Sequence, residues 1–205
     1  MAEQIAEEKK GLTITDRLRV RCGKILDPIA AFLNRLGLMP NTVTIAGLAG
    51  NTLGAYFLAN GQMTIGGIII LIMGPIDALD GAMARLRGEP TEFGAFVDSV
   101  TDRYSELVIF GGLLYYYLQQ NDWLAAILAY VAAAGSVLVS YARARAQSVG
   151  FETKIGILTR FERYLVLVPG LIFNIPKVAL WILAIFTNIT ALQRILDVRR
   201  QFRNS

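Results

Sequence analysis

The chain has 205 residues, of which 54% are hydrophobic and only 18% are charged. About a quarter of the residues in a soluble domain are charged, so this composition excludes an ordinary soluble domain and favours a membrane protein. With one cysteine and no histidine, any metal site must use carboxylates, which favour Mg²⁺ or Mn²⁺ over zinc. The net charge of +4 suggests anionic lipid or phosphate partners, and we expect no nucleic-acid partner.

The chain order predicts two parts, a cytoplasmic N-terminal segment (1–39) and a membrane domain (40–205). Between Leu12 and Leu36, apolar residues are interleaved with arginine and lysine. This pattern is too charged to span a membrane and predicts an amphipathic interfacial helix, kinked or restarted near Pro28. Six apolar segments then predict six transmembrane helices, at approximately 42–60, 63–79, 93–118, 122–142, 157–174 and 176–193. The predicted fold class is an all-α integral membrane protein.

The basic residues predict the orientation of these helices. Apart from Lys177 and Arg103, they lie in or beside the N-terminal segment, the second and fourth connections and the C-terminal tail. Positive residues concentrate on the cytoplasmic side, and an even number of spans places both termini there. We therefore expect a multi-pass protein of the cell membrane whose active site faces the cytoplasm.

Four aspartates at the cytoplasmic ends of the second and third predicted spans are the strongest functional signal. Asp77 and Asp80 are three positions apart, and Asp98 and Asp102 are four apart, so each pair shares a helical face. Four close carboxylates would repel one another without a bound cation or a counter-charge. The alternative is that they cap helices or pair with nearby arginines, but a cap needs only one acid per helix. The pattern therefore predicts a divalent-metal site.

Small residues accompany the acids. Gly81 and Ala84 lie four and seven positions after Asp77, and Gly94 lies four positions before Asp98. They leave room for a ligand, although small residues at this spacing also serve close helix packing. Arg85, at the cytoplasmic rim, is suited to holding a diphosphate oxygen with its planar guanidinium.

Together these residues resemble the signature of the CDP-alcohol phosphotransferase family. Eight positions match in kind and spacing over 26 residues, and the predicted helices extend the resemblance to nearly the whole chain. The resemblance implies Asp102 as the base that activates the acceptor hydroxyl, and a homodimer. It also implies two divalent cations, Mg²⁺ or Mn²⁺, held by Asp77, Asp80, Asp98 and Asp102. The CDP group of the donor is expected at Asp80, Gly81, Ala84, Arg85 and Gly94.

A second, basic group follows in the fourth, fifth and sixth predicted spans. Arg143, Arg163 and Arg194 lie slightly inside the span ends and predict a pocket for the phosphate of a soluble polyol phosphate. For Arg145 and Arg160 the favoured interpretation is topology alone. Within the family, Ser140 to Arg145 and Gln193-Arg194 look most like enzymes that accept inositol phosphate. Glycerol 3-phosphate stays open as the acceptor, and the sequence does not define the lipid tails of the donor.

The expected reaction is transfer of a lipid phosphate from a CDP-linked lipid, such as CDP-diacylglycerol, to an alcohol, with release of CMP. A cation or proton transporter is the alternative from another class, because buried acids in spans also mark ion pathways. The acids of a transporter would lie near the bilayer midplane, whereas these four lie at one end of their helices beside basic residues. An inactive scaffold is disfavoured because the signature is intact.

Overall fold

The computed structural model describes residues 26–88 and 91–204, with all their side chains except those of Asp77 and Ala78. A helix over 26–35, α1, precedes six longer helices. These are α2 (Pro40–Ala59), α3 (Met63–Arg87), α4 (Glu92–Gln119), α5 (Trp123–Ser148), α6 (Arg160–Ile172) and α7 (Pro176–Asn204). The predicted all-helical class is confirmed for this part of the chain. Most of the predicted interfacial helix lies outside the described residues.

Four helices of the described chain, α2, α3, α5 and α7, are long and apolar enough to cross a membrane. The other two differ for identifiable reasons. The middle of α4 carries Asp102, Arg103 and Glu106, which lower its apolar character. Helix α6 has 13 residues, about 20 Å at 1.5 Å per residue, and it begins at Arg160 rather than at 157 as predicted. The count of six spans therefore stays a prediction.

The turn between α3 and α4 brings the two aspartate pairs together. Helix α3 ends at Gly88, whose φ of 70° is left-handed and suits glycine. Helix α4 begins after Thr91, whose hydroxyl accepts a hydrogen bond from the backbone N–H of Gly94 at 3.0 Å. This capping arrangement starts a new helix with four residues, 88–91, between it and the previous one. Asp80 and Asp98 thus lie at the adjoining ends of two consecutive helices.

A proline in α3 is compensated by a tyrosine from α6. Pro75 lacks an N–H, so the carbonyl of Leu71 loses its usual partner in the helix. The hydroxyl of Tyr164 lies 2.9 Å from that carbonyl and donates to it. Gly74 makes space for the ring, because a Cβ there would lie 2.4 Å from the tyrosine oxygen. This contact fixes α6 beside the part of α3 that leads to Asp77.

The largest buried apolar cluster is centred at the end of the bundle opposite the aspartates. Helix α2 packs against α3 and α4, while α5 packs against α7. Several fully buried leucines of this cluster come from the distant ends of their helices: Leu58, Leu113, Leu171 and Leu180. Close helix contacts use glycine, as at Gly112, where a Cβ would lie 2.5 Å from the carbonyl oxygen of Ala55. Apolar packing thus closes one end and leaves the aspartate end available for a polar site.

Candidate active site

A cavity of about 820 Å³ lies among helices α2 to α6 and collects the predicted acids. Asp80, Asp98 and Asp102 line it, and so do three arginines: Arg85, Arg160 and Arg163. The side chain of Asp77 lies outside the described residues, although its backbone is part of α3. We call the four predicted aspartates, Asp77, Asp80, Asp98 and Asp102, the acidic cluster.

Asp80 is buried and held by two hydrogen bonds. The Thr44 hydroxyl of α2 donates to its Oδ2 atom at 2.5 Å, and the backbone N–H of Gly81 lies 2.5 Å from its Oδ1 atom. Only 7% of Asp80 is exposed. A buried carboxylate is stabilised by such donors, which also fix the direction of its oxygen atoms. Thr44 lies near the start of α2, so this helix start also supports the site.

Asp102 is paired with two arginines. Arg160 of α6 donates from Nη2 to Oδ1 of Asp102 at 2.5 Å. Arg103, which follows Asp102 on α4, lies 3.3 Å from Oδ2. The prediction that Arg160 serves topology alone is therefore wrong, because its side chain reaches across the cavity to the proposed base. Charge spacing along the sequence does not reveal a contact between helices α4 and α6.

The chemistry of these residues fits a divalent cation. The described part of the chain holds no group of three histidine, cysteine or acidic side chains placed to enclose a metal ion by itself, and Asp77 is outside that comparison. Hard cations such as Mg²⁺ and Mn²⁺ take carboxylate oxygens together with water and substrate oxygens. Asp80, Asp98 and Asp102 supply such oxygens to one cavity, and arginines supply positive charge at the same place. The donor set thus fits ions that are completed by substrate.

The predicted donor-binding residues divide into two groups. Gly81 and Arg85 line the cavity beside Asp80. Ala84 and Gly94 are not among its lining residues. A Cβ on Gly94 would lie 3.0 Å from the Thr91 hydroxyl, so this glycine is closely involved in the start of α4. Of the five predicted donor-binding residues, the cavity is therefore lined by Asp80, Gly81 and Arg85.

The three arginines predicted to bind the acceptor phosphate come from three different helices. We call Arg143 of α5, Arg163 of α6 and Arg194 of α7 the basic cluster. Arg163 and Arg194 are each 4% exposed, whereas Arg143 is exposed. Arg194 donates to the backbone carbonyls of Val139 and Ile155 at 2.6 and 3.0 Å. Helices α5 and α6 both pack against α7, so the three positive charges lie on adjoining helices, and Arg163 is the one that lines the cavity.

Glu106 is a site residue that the sequence interpretation missed. It lies one helical turn after Asp102 on α4 and lines the same cavity. Its Oε1 atom accepts hydrogen bonds from Nη2 and Nε of Arg163, at 2.7 and 3.2 Å. The spacing of Asp98, Asp102 and Glu106 at intervals of four was the available signal. This ion pair connects the helix of the acidic cluster to the basic cluster.

Sequence comparisons identify related proteins over most of the chain. A family model described as CDP-alcohol phosphatidyltransferase matches residues 37–192. The phosphatidylinositol phosphate synthase of Streptomyces avermitilis is 37% identical over 195 residues, which cover 87% of this chain and 79% of that protein. The archaetidylinositol phosphate synthase of Pyrococcus horikoshii is 33% identical over 186 residues, which cover 90% of this chain and 96% of that protein.

Solved structures give the same relationship in three dimensions. A crystal structure of Mycobacterium tuberculosis phosphatidylinositol phosphate synthase with CDP-DAG bound matches with a TM-score of 0.81 and 33% identity, covering 85% of this chain and 94% of that one. A structure of the same protein with manganese and citrate also matches with a TM-score of 0.81 and 33% identity, covering 84% and 88%. The two proteins are therefore similar both in fold and in sequence over most of their length.

Proposed function

The chain belongs to the CDP-alcohol phosphatidyltransferase family, and on that premise we propose that it transfers a phosphatidyl-type group to inositol 1-phosphate. The donor is a CDP-linked lipid such as CDP-diacylglycerol, and the other product is CMP. The relatives named above support this acceptor, since two of them are phosphatidylinositol phosphate synthases and one is an archaetidylinositol phosphate synthase. The role of this enzyme is phospholipid biosynthesis in a membrane.

The observation that carries the proposal is one cavity that contains both a candidate base and a candidate anion site. Asp102 and Arg163 both line it. Glu106 lies one turn after Asp102 and binds Arg163 at 2.7 Å. An acceptor with a phosphate and a free hydroxyl can therefore place its phosphate towards the arginines while its hydroxyl lies near Asp102. Direct transfer requires this arrangement, because donor and acceptor must be bound together.

The proposed reaction is a displacement at the lipid-proximal phosphorus of the donor. The carboxylate of Asp102 takes the proton from the acceptor hydroxyl, and the acceptor oxygen forms a bond to phosphorus. The bond from phosphorus to the bridging oxygen breaks, and CMP leaves with that electron pair. Arg85 lies beside Asp80 at the cavity, where its guanidinium can bind a diphosphate oxygen. No residue forms a covalent adduct in this route.

The acidic cluster is the proposed ligand set for two Mg²⁺ or Mn²⁺ ions. Bound divalent cations would neutralise the charge of the diphosphate and of the leaving group. Asp77, Asp80, Asp98 and Asp102 would hold them, and Thr44 and Gly81 keep the Asp80 carboxylate oriented through their hydrogen bonds. Arg160 holds Asp102 by an ion pair.

The membrane arrangement is also a proposal. Six spans, with the active site and both termini on the cytoplasmic side, agree with the distribution of arginine and lysine. The predicted N-terminal interfacial helix and the division at residue 39 belong to the same proposal. A homodimer is supported by the family resemblance alone, and cross-linking of the protein in native membranes tests it.

An acceptor panel tests the proposed function. Purified protein is supplied with labelled CDP-diacylglycerol, Mg²⁺ or Mn²⁺, and one of four acceptors: inositol 1-phosphate, glycerol 3-phosphate, inositol or serine. We expect CMP release and a phosphorylated lipid product with inositol 1-phosphate, and little product with free inositol. A higher kcat/KM for glycerol 3-phosphate would reassign the acceptor but keep the chemistry. Absence of CMP release with every acceptor would contradict the proposal.

A further inference from the structure

Three uncharged polar side chains line the cavity near the centres of their helices. They are Asn51 of α2, Ser105 of α4 and Ser136 of α5. Their exposed fractions are 4%, 5% and 0%. The centre of a membrane-crossing helix lies near the bilayer midplane, where polar side chains are costly and mark functional sites. Neither the acidic cluster nor the basic cluster accounts for them.

The two serine hydroxyls have no hydrogen-bond partner within residues 26–88 and 91–204. Apolar side chains that include Ile109, Phe110 and Leu167 line the same part of the cavity. Leaving a buried hydroxyl without a partner costs free energy, so its presence requires an explanation. If small size alone were required, alanine would pack equally well at lower cost. Two such hydroxyls facing one cavity therefore point to a ligand that completes their hydrogen bonds.

The position of these groups indicates which part of a ligand they meet. Ser105 lies three positions after Asp102, about 4.5 Å further along α4 and on the same side of the helix. Charged residues line the cavity around Asp102: Asp98, Arg160, Arg163 and Glu106. Glu106 follows Ser105 directly, but its charge is paired with Arg163 at 2.7 Å, and Asn51 and the serines are uncharged. Charged groups of a substrate belong at the charged end, so the uncharged end suits oxygen atoms that carry no charge.

We propose that Asn51, Ser105 and Ser136 form a subsite that hydrogen-bonds uncharged oxygen atoms of a substrate. This proposal rests on the proposed function and deepens it. Two substrates carry such atoms: the polyol phosphate has hydroxyl groups, and the lipid donor has ester oxygens. Serine hydroxyls and the asparagine amide can both donate and accept hydrogen bonds, so they match either source. The subsite thus contributes to the choice of acceptor or to the choice of lipid linkage.

The test measures acceptor and donor KM separately in Ser105→Ala and Ser136→Ala. Loss of one neutral hydrogen bond is expected to raise one of the two KM values by about two- to tenfold. A rise for inositol 1-phosphate that exceeds the rise for glycerol 3-phosphate identifies polyol hydroxyls as the ligand. A rise for CDP-diacylglycerol that is absent with a dialkyl ether analogue identifies the ester oxygens.

Thr153→Val is the matched control. The Thr153 hydroxyl is 1% exposed and also lacks a partner in the described chain, but the residue does not line the cavity. This variant is expected to keep wild-type KM values for both substrates. Changes of less than twofold for every substrate in both serine variants would overturn the proposal, as would equal changes in the control.

A thermal-shift titration applies the same test without turnover. Inositol 1-phosphate and CDP-diacylglycerol are added separately to wild-type protein and to Ser136→Ala, and the rise in Tm is compared. We expect a smaller rise in the variant for one of the two compounds. Absence of turnover by the wild type would contradict the proposed function, whereas identical Tm shifts in wild type and variant would contradict the subsite.

Discussion

The acidic and basic clusters contribute unequally to the cavity and arise from the sequence in different ways. Asp80, Asp98 and Asp102 line the cavity, whereas Arg163 does so alone among the three arginines. The acidic cluster belongs to α3 and α4, which adjoin at one short turn ending with the Thr91 cap. The basic cluster is gathered from α5, α6 and α7. Local helical spacing places each aspartate pair on one helical face, and packing of α3 and α4 on α2 brings the two pairs to one cavity. The arginines come from three helices and have no such local spacing. The acidic pairs can be recognised from their spacing in the sequence, whereas the grouping of the three arginines can be recognised only from the folded structure.

The two clusters also differ in how their side chains are held. Asp80 accepts hydrogen bonds from a hydroxyl and a backbone N–H. An asparagine at the same position can still accept one of them through its amide oxygen. Arg163 is paired with Glu106, and Arg194 binds two backbone carbonyls. The arginines therefore connect helices as well as supply charge. Substitutions in the acidic cluster are expected to affect rate, and substitutions in the basic cluster to affect both substrate binding and stability.

The largest effect is expected from Asp80→Asn and Asp98→Asn. Each change removes ligand charge at nearly constant volume and should lower kcat by at least about 10²-fold, with little change in Tm. Asp77→Asn is expected to behave alike. Initial rates of CMP release at several Mg²⁺ and Mn²⁺ concentrations measure the effect. EDTA should abolish wild-type activity, and either metal should restore it.

Asp122→Asn is the control for these variants. Asp122 caps α5 at the opposite end of the bundle and pairs with Lys177. Its loss removes an aspartate charge of the same kind without touching the cavity, so wild-type kcat is expected. Full turnover by the wild type in excess EDTA, or a wild-type rate for Asp80→Asn at saturating metal, would contradict the role of the acidic cluster.

Arg163→Ala and Arg143→Ala separate binding from stability within the basic cluster. If both bind the acceptor phosphate, each variant should raise acceptor KM about ten- to a hundredfold and change donor KM much less. Arg163→Ala should also destabilise the protein by about 2 to 3 kcal/mol, because it leaves Glu106 without its partner. Arg143 is exposed, so its loss should change stability by less than about 0.5 kcal/mol. Steady-state kinetics and unfolding in detergent measure the two effects.

Conservative and paired substitutions sharpen the same comparison. Arg143→Lys should retain part of the acceptor affinity, because a point charge still attracts phosphate without the bidentate geometry. Replacing Glu106 and Arg163 together by alanine should recover part of the stability lost in Arg163→Ala, but not the acceptor KM. Arg145→Ala serves as the control, since Arg145 is exposed and bonds to Ser148. An unchanged acceptor KM in both Arg143→Ala and Arg163→Ala would show that these arginines serve topology alone.

The sequence predicted what depends on local geometry. The aspartate pairs followed from spacings of three and four. Contacts between distant helices could not be predicted. Arg160 was assigned to topology because its pairing with Asp102 joins two helices, α4 and α6, that are far apart in the sequence. The apolar segment around 157–174 suggested a longer helix than Arg160–Ile172, since hydropathy does not distinguish a packed loop from a helix.

A smaller effect is expected at Tyr164, which connects α6 of the basic cluster to α3 of the acidic cluster. Tyr164→Phe leaves the Leu71 carbonyl without the donor that replaces the missing N–H of Pro75. The expected loss of stability is about 1 to 2 kcal/mol. Adding Pro75→Ala to Tyr164→Phe should restore part of it, because alanine supplies the N–H that proline lacks. Unfolding free energies of the two variants in detergent measure the effect, and an equal loss in both would contradict this account.

The smallest effect is expected from Glu152→Gln at the rim of the basic cluster. The Glu152 carboxylate pairs with Lys154 at 2.6 Å, and both side chains are largely exposed. Its hydrogen bond and ion pair with Lys154 lower the pKa of Glu152, and the charge of Arg143 lowers it further. A lowered pKa adds stability that is present above the pKa of the unfolded chain and lost as the pH falls through that of the folded protein. Solvent screens this exposed pair, so unfolding curves of wild type and Glu152→Gln should nearly coincide at pH 7, and any difference should disappear as the pH falls through the lowered pKa of Glu152. The acceptor KM of the variant should be unchanged or slightly lower, because removing a negative charge near Arg143 strengthens the local positive potential. A several-fold increase in that KM would instead place Glu152 among the residues that bind the acceptor.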